Sequence, residues 1–344
     1  MNRTMKCWQL AAFGLENLHL TDVLVPEPGP GEVLVRVEAV SLNYRDRLVI
    51  QGELLPGPPA MPFVPASDMA GKVVSTGSGV SRVREGDRVV ANFWTPWIEG
   101  EPPPDMTRHG LSLGGPLPGV LSEYIILHED VLVHSPASLS APEASTLPIA
   151  ALTAWFALVE TGRLHAGQSV LVQGTGGVAI FGLQLAKALG AQVIVTSRSA
   201  EKLARARDLG ADAIIDTGAN PAWAVKALEL TEGRGVDHIL ELIGGDNLRQ
   251  SASALASGGR IAQIGFLDGA DITLPVLPLM LRRAVIQGIT VGHRTSLENM
   301  IRAIDHHRIK PVIDTTYAFD NALAAFDHLG RGPFGKVVIT LPGD

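Results

Sequence analysis

Between Ser169 and Ala191 the chain reads SVLVQGTGGVAIFGLQLAKALGA. An apolar run, Val170-Leu171-Val172, enters Gly174, Thr175, Gly176, Gly177, Val178 and Ala179. A helical pattern follows, with Leu183, Leu185, Ala186 and Leu189 on one side, and Gly190 stops it. A strand, a glycine turn and a helix in this order hold a dinucleotide pyrophosphate. The first glycine permits the tight turn, the second lets backbone approach the phosphates, and the third position, Ala179, has to be small for helix-on-strand packing. The start of the helix offers free N–H groups and a positive dipole end to the anion. Glycines alone are a weak signal, but here both flanks fit.

The next strand, Gln192–Thr196, ends at Ser197-Arg198-Ser199. A site for NAD usually has Asp or Glu at this strand end, about 20 residues past the glycines, to bind the ribose 2′-hydroxyl. No acid stands there. Ser197 takes the place, Arg198 follows, and Lys202 lies one turn into the next helix. A hydroxyl and two cations suit a 2′-phosphate, so the expected cofactor is NADPH. Cations also sit poorly at the positive end of a helix dipole unless an anion joins them.

Two kinds of texture surround this unit. Up to about residue 128 the strands are short and alternating, with Pro/Gly punctuation: Val33–Val37, Lys72–Ser75, Arg88–Ala91 and Tyr124–Leu127. That pattern predicts an irregular β domain over residues 1–128. Over 129–294 strand and helix alternate, with apolar strands at Val170–Val172, Val193–Val195, Ala213–Ile215, His238–Leu240, Arg260–Ile264 and Val285–Thr290, and helices including Lys202–Leu209 and Ala222–Leu230. This predicts an α/β, doubly wound parallel sheet. Residues 295–344 hold two helical patterns, Leu297–His306 and Asn321–His328, and a strand, Lys336–Leu341, expected to rejoin the first domain.

Composition narrows the function. A length of 344 residues supports two domains, and a net charge of −7 with no basic run argues against a nucleic-acid surface. The start, MNRTMKCWQL, has no signal-peptide apolar region. The most apolar long stretch, Ala144–Val159, is expected to be too short for a membrane span and contains Pro148. A single cysteine, Cys7, rules out an internal disulfide framework and fits a reducing cytoplasm.

Several segments together resemble the medium-chain dehydrogenase/reductase superfamily along essentially the whole chain. They are PGPGEVLVRVEAVSLNYRD, PFVPASDMAGKVVSTGSGVSRVREGDRVV, LPGVLSEY, LTAWFAL, the GTGGVA turn and FGKVVITL. Within that superfamily they look most like the zinc-independent quinone oxidoreductases and enoyl reductases. The resemblance implies a Rossmann domain beside a GroES-like catalytic domain. Zinc alcohol dehydrogenases carry Cys-x-Ser/Thr-Asp where this chain has Asn43-Tyr44-Arg45-Asp46, and Gly-His-Glu where it has Ala66-Ser67-Asp68; their third ligand falls near Ile149. Asn, Ser and Ile do not make a zinc site, so no metal is expected. The adjacent His306 and His307 point to different faces of a helix and do not replace it.

The resemblance implies further site residues. It places Asn43 near the nicotinamide and Thr153 at the same end of the cofactor, with Ile243, Gly244, Ile264, Gly265 and Phe266 ending strands on the cofactor side. Asn43 and Tyr44 are the candidate catalytic residues, Tyr44 as proton donor. Arg45 stays protonated and is expected to pair with Asp46 or Asp68. Phe93–Gly119 is a long loop, of a length often found in lids and interface arms; Phe93, Trp94 and Trp97 are the candidate walls of a hydrophobic substrate pocket. The expected activity is NADPH-dependent, zinc-independent hydride transfer to a small hydrophobic quinone or α,β-unsaturated carbonyl in the cytoplasm. The alternatives are a metal-free NADP-dependent alcohol or carbonyl oxidoreductase and a non-catalytic NADPH-binding scaffold or sensor. Neither nucleic acid nor membrane is an expected partner. The apolar strand Val285–Thr290, expected at a sheet edge, needs covering, which favours a homodimer.

Overall fold

The computed structural model describes residues 3–108 and 110–342. In chain order the strands are β1 (Thr4–Leu10), β2 (Leu18–Leu24), β3 (Glu32–Leu42), β4 (Asp68–Thr76), β5 (Arg88–Ala91), β6 (Tyr124–His128), β7 (Leu132–His134), β8 (Ser169–Gln173), β9 (Gln192–Ser197), β10 (Ala213–Asp216), β11 (Val236–Glu241), β12 (Leu255–Gln263), β13 (Val285–Gly288), β14 (Ile313–Ala318) and β15 (Lys336–Thr340). They pack as two units. One contains the chain up to Leu152 and again from Val291 onward; the other is Thr153–Thr290.

The second unit is a parallel sheet in the order β10-β9-β8-β11-β12-β13. Every residue of β8 is buried, as expected of a central parallel strand covered on both faces. Strand order reverses between β8 and β11, and ligands bind at the carboxyl ends of strands beside such a switch. The glycine turn after β8 and the turn after β11 therefore flank the expected site. A close helix–sheet approach falls at Gly182, where a Cβ would lie 2.5 Å from Leu240 Cδ1. Ala179 is buried too, but the demand for a missing side chain comes one turn later than the motif suggests. Edge strand β13 ends at Gly288 rather than Thr290, although Ile289 N still donates to Gln263 O at 2.9 Å. Beside this edge, the helix Val276–Arg282 exposes Val276, Leu277, Met280 and Leu281.

The first unit holds a hairpin, β1-β2, and a larger sheet in the order β14-β15-β3-β4-β5-β7, with β6 also paired to β3. The C-terminal strands belong to this sheet: β15 runs antiparallel to β3, with Val337 opposite Leu42. Phe319, Phe326, Val337 and Ile339 join Val35, Val40, Leu121 and Leu132 in its core. The unit extends past residue 128 because β7 pairs with β5. Register also gathers the polar residues. Ser41 faces Asp68 across β3 and β4, and Lys336 precedes the Val337–Leu42 pair, which brings it level with Asn43.

Ala141–Glu160 forms a helical stretch of 20 residues, long and apolar enough by composition to cross a membrane. It is longer than the sequence suggested. Pro148 does not cut it, because it sits at the first positions of a widened turn, Leu147–Ala151, where a missing N–H is tolerated. In its most apolar window 78% is buried inside the protein, the mark of a core helix.

Candidate active site

Gly174 adopts φ +77°, and a Cβ at Gly174 or Gly176 would meet no heavy atom within 4 Å. Gly174 N donates to Thr196 O at 2.7 Å, tying the turn to β9. Thr175 is buried. Gly176 is the N-cap of helix Gly177–Ala188 and supplies no side-chain cap, so Gly177, Val178 and their neighbours present backbone N–H groups to an incoming anion. An open cradle of glycine backbone at a helix start fits a dinucleotide pyrophosphate.

At the end of β9, Ser197 Oγ accepts from Ser199 N at 3.2 Å, and Ser199 caps the helix Ala200–Asp208 by accepting from Lys202 N at 3.3 Å. Arg198 is exposed and Lys202 half-buried. Asp216 stands opposite Ser197 on β10, but its Oδ1 is engaged with Gly218 N at 2.9 Å and Ala219 N at 3.2 Å. The end of β9 thus presents hydroxyls and the exposed Arg198.

The ends of β11 and β12 are brought together. Ile264 N and Gly265 N donate to Glu241 O at 2.9 and 3.0 Å, and Asp268 N donates to Ile243 O at 2.8 Å. Gly265 has to be glycine, since a Cβ would lie 2.0 Å from Leu242 O. Ile243 and Ile264 are half-buried, Phe266 is exposed, and Thr153 is buried within its helix.

Beneath these turns lies a buried carboxylate outside the residues expected from the sequence. Glu241 is 0% exposed. Its Oε1 accepts from Ile243 N, Gly244 N and Asn247 Nδ2, each at 3.0 Å. Its Oε2 accepts from Gln173 Nε2 at 2.9 Å and from Ser251 Oγ. Gln173 in turn accepts from Leu242 N at 3.1 Å and immediately precedes Gly174. One side chain therefore fixes the turn after β11 and, through Gln173, the start of the glycine turn.

The first unit has its own buried polar cluster. Asn43 caps the helix Tyr44–Gln51, and Asp46 answers it in a reciprocal capping box: Asn43 N donates to Asp46 Oδ2 at 2.8 Å. Lys336 Nζ donates to Asn43 Oδ1 at 2.6 Å, which orients the amide, and Asn43 Nδ2 donates to Asp68 Oδ2 at 2.9 Å. Ile149 N donates to the same oxygen at 3.2 Å, and Lys336 Nζ lies 3.9 Å from it. Asp68 and Lys336 are 0% and 3% exposed. Burial pushes the Asp68 carboxyl up to about 7, against the lowering effect of Lys336 and the Asn43 hydrogen bond; it pushes the Lys336 ammonium down. Among the described residues, Asp68 Oδ1 and Ser41 Oγ have no hydrogen-bond partner.

Arg45 pairs with Asp46 at 3.4 Å rather than with Asp68. It also donates to Ser67 Oγ at 2.8 Å, Gly114 O at 3.1 Å and Gly115 O at 3.0 Å, and its guanidinium lies over the Phe93 ring. Ser67 passes its own hydrogen to Asp46 Oδ1 at 3.0 Å. The long loop is thereby held down onto the helix. Its aromatics pack inward: Trp94 and Trp97 are each 6% exposed, Trp94 edge-on to Phe93 and Trp97 edge-on to His293. Both indoles are thus packed within the first unit. Tyr44 is 47% exposed, and among the described residues its hydroxyl has no partner.

The places that the resemblance aligns with the ligands of zinc alcohol dehydrogenases hold Asn43, Ser67 and Ile149. The amide is committed at both ends, the hydroxyl is engaged with Arg45 and Asp46, and the third side chain is a hydrocarbon. Among the described residues no cluster of three or more His, Cys, Asp or Glu could hold a metal ion. This donor set does not fit catalytic zinc.

Comparison with known proteins gives the same outline. Residues 29–137 match the alcohol dehydrogenase GroES-like domain family and residues 177–306 the zinc-binding dehydrogenase family. A zinc-type alcohol dehydrogenase-like protein of Schizosaccharomyces pombe is 40% identical over 336 residues, covering 95% of this chain and 96% of its own. Quinone oxidoreductase of Mus musculus is 29% identical over 331 residues, covering 93% and 92%. A solved structure from Sinorhizobium meliloti, described as a candidate alcohol dehydrogenase, is 52% identical with a TM-score of 0.94 over 99% of both chains. With both domains matched in this order, the chain belongs to the medium-chain dehydrogenase/reductase superfamily: an oxidoreductase of alcohol dehydrogenase-like fold whose relatives bind nicotinamide cofactors.

Proposed function

We propose that this oxidoreductase is a cytoplasmic, NADPH-dependent reductase that works without zinc and adds hydride to a quinone or an α,β-unsaturated carbonyl. The observation that carries this reading is the Lys336–Asn43–Asp68 chain of buried hydrogen bonds, whose Asn43 stands where the resemblance to zinc alcohol dehydrogenases puts a ligand. With no Lewis acid, negative charge developing on the substrate oxygen needs hydrogen-bond donors and a proton, which suits conjugated acceptors. The nicotinamide supplies the hydride when bound. The chain's own residues bind and orient: the backbone of Gly174–Val178 takes the pyrophosphate, and Ser197, Arg198 and Lys202 take the 2′-phosphate. Both ends of the Asn43 amide are in use, so its part is to hold the site rigid. The exposed Tyr44 hydroxyl delivers the proton. The single cysteine suits a reducing compartment. The names of the yeast and Sinorhizobium relatives favour a second reading, reduction of a simple carbonyl with the same cofactor and no metal.

Cofactor choice is tested at Arg198. A hydrogen bond to a charged group contributes roughly 1.5–3 kcal/mol. Arg198→Ala is therefore expected to raise the Kd for NADPH at least about tenfold and leave NADH nearly unchanged. Tighter binding of NADH than NADPH by the unaltered enzyme would contradict the assignment.

The proton donor is tested at Tyr44. General acid catalysis typically contributes about 10²–10⁴-fold. Tyr44→Phe should lower kcat for enone reduction about tenfold or more while NADPH affinity is kept. The effect on a quinone should be smaller, because solvent can protonate the hydroquinone oxygens after hydride transfer. An unchanged kcat on both substrates would leave proton delivery to water.

A further inference from the structure

The second unit carries a cavity that the proposed reaction does not use. It lies at the amino-terminal end of the parallel sheet, against the starts of β8, β11 and β12. The glycine turn is at the other end of β8, five residues away, or about 16 Å at strand rise. The cavity has a volume of about 270 Å³, and none of the side chains lining it is apolar. Such a wall has nothing to offer a hydrophobic ligand.

Its charge is one-sided. Arg163 and Arg260 line it, and among the described residues neither forms an ion pair with a carboxylate. Asp237 is the one acid in the wall, and it is already held by Arg234 at 2.7 and 2.9 Å and by Ser169 N at 2.8 Å. With Asp237 and Arg234 offsetting each other, two positive charges remain. His238 stands opposite Arg260 in the β11–β12 register and is 5% exposed. Its Nε2 lies 3.1 Å from Gln168 Oε1, an oxygen that also accepts from His165 N at 2.8 Å. The ring proton therefore sits on Nε2. Burial pushes the His238 imidazole down to about 4; Asp237 opposes that shift, while Arg260 and His165 add to it. Gly258 adopts φ +75° at the rim, with no atom within 4 Å of a Cβ there; backbone is left open to a ligand. Two guanidinium groups around a buried neutral histidine repel any further cation and are complementary to an anion.

We propose that this cavity is a binding site for a small oxyanion, a phosphate or carboxylate group gripped by Arg163 and Arg260 against His238. The guanidinium fork matches both groups in geometry and charge. The site is separate from the dinucleotide cradle and does not depend on which substrate the enzyme reduces.

The test is calorimetric titration of the enzyme, saturated with its nicotinamide cofactor so that the glycine turn is filled. Inorganic phosphate and succinate serve as probes at constant ionic strength. In parallel, the His238 ring is followed by NMR of histidine-labelled protein. Saturable binding of either probe is expected, weakened roughly tenfold by Arg163→Gln or Arg260→Gln, the loss of one charge-assisted contact. Lys187→Gln, which removes a cation paired elsewhere with Asp212, should leave it unchanged. The bound anion should move the His238 titration midpoint upward, since a nearby negative charge favours the imidazolium. Phosphate alone binding would assign the site to phosphate groups, succinate alone to carboxylates. No saturable heat with either probe, or binding that survives both arginine substitutions with His238 unmoved, would overturn the proposal.

Discussion

At a pH above about 7, where Asp68 is ionised, replacing Lys336 by methionine is expected to cost the enzyme about 3–5 kcal/mol of stability, the usual penalty for removing one partner of a buried pair and leaving the other charge uncompensated. The Lys336 ammonium is 3% exposed, hydrogen-bonded to Asn43 and 3.9 Å from Asp68. Its loss frees the Asn43 amide and leaves Asp68 with only neutral donors. The cost should depend on pH in a definite direction. Burial already raises the folded-state Asp68 carboxyl from 3.8 to about 7, and losing Lys336 raises it further. An acid whose folded value is raised contributes stability that is fully present below its unfolded value and is lost as pH rises through the folded one. The deficit of Lys336→Met should therefore be smallest near pH 4 and widen through pH 7 and above. Asp68→Asn in the same chain should recover much of it at high pH. Urea midpoints for the single and double variants check this; an equal deficit at every pH, or none, would contradict the electrostatic account.

A second large effect is expected at Glu241. Glu241→Gln keeps the shape but turns one carboxylate oxygen into an N–H donor. Oε1 faces two backbone N–H groups and the Asn247 amide, and Oε2 faces the Gln173 amide and the Ser251 hydroxyl; the hydroxyl can turn to accept one new N–H, but the Gln173 Nε2 hydrogen then meets an N–H in place of an oxygen. Gln173 cannot simply turn over, because its Oε1 is needed by Leu242 N. A buried donor left without an acceptor costs about 1–3 kcal/mol. The disturbed residues lie next to Gly174 and Ile243, so part of that cost should appear in cofactor binding as an increase in Kd of about tenfold. A fluorescence titration well below the variant's Tm measures it. A variant with a lowered Tm and unchanged Kd would make Glu241 a purely structural residue.

The sequence showed the second unit most clearly, since its strands carry short apolar runs such as Val170–Val172 and Val193–Val195, and the turn after β8 has its glycines. The irregular first unit showed only fragments: β3 extends to Leu42 and β4 begins at Asp68, beyond the alternating cores read as strands. The chemistry was least legible where residues far apart in sequence meet. Asn43 and Lys336 are joined by a β3–β15 register that no local pattern specifies. There was nonetheless a signal. Lys336 opens the strand KVVIT and Glu241 closes VDHILE. A charge within a buried strand has to have a partner, and both do. Trp94 and Trp97 stand out in the sequence as large aromatics in a long loop, but the contacts that bury them do not: Arg45, far off in the sequence, ties that loop down.

The most direct test of the account is NADPH oxidation by the purified enzyme, after exhaustive chelation, against quinones, enones, aldehydes and acyl-thioesters. Metal analysis of the same sample accompanies it. The account predicts turnover with a quinone or an enone at a rate that chelation does not change, by protein without stoichiometric zinc. Turnover confined to aldehydes, lost with chelation and restored by zinc, would contradict it.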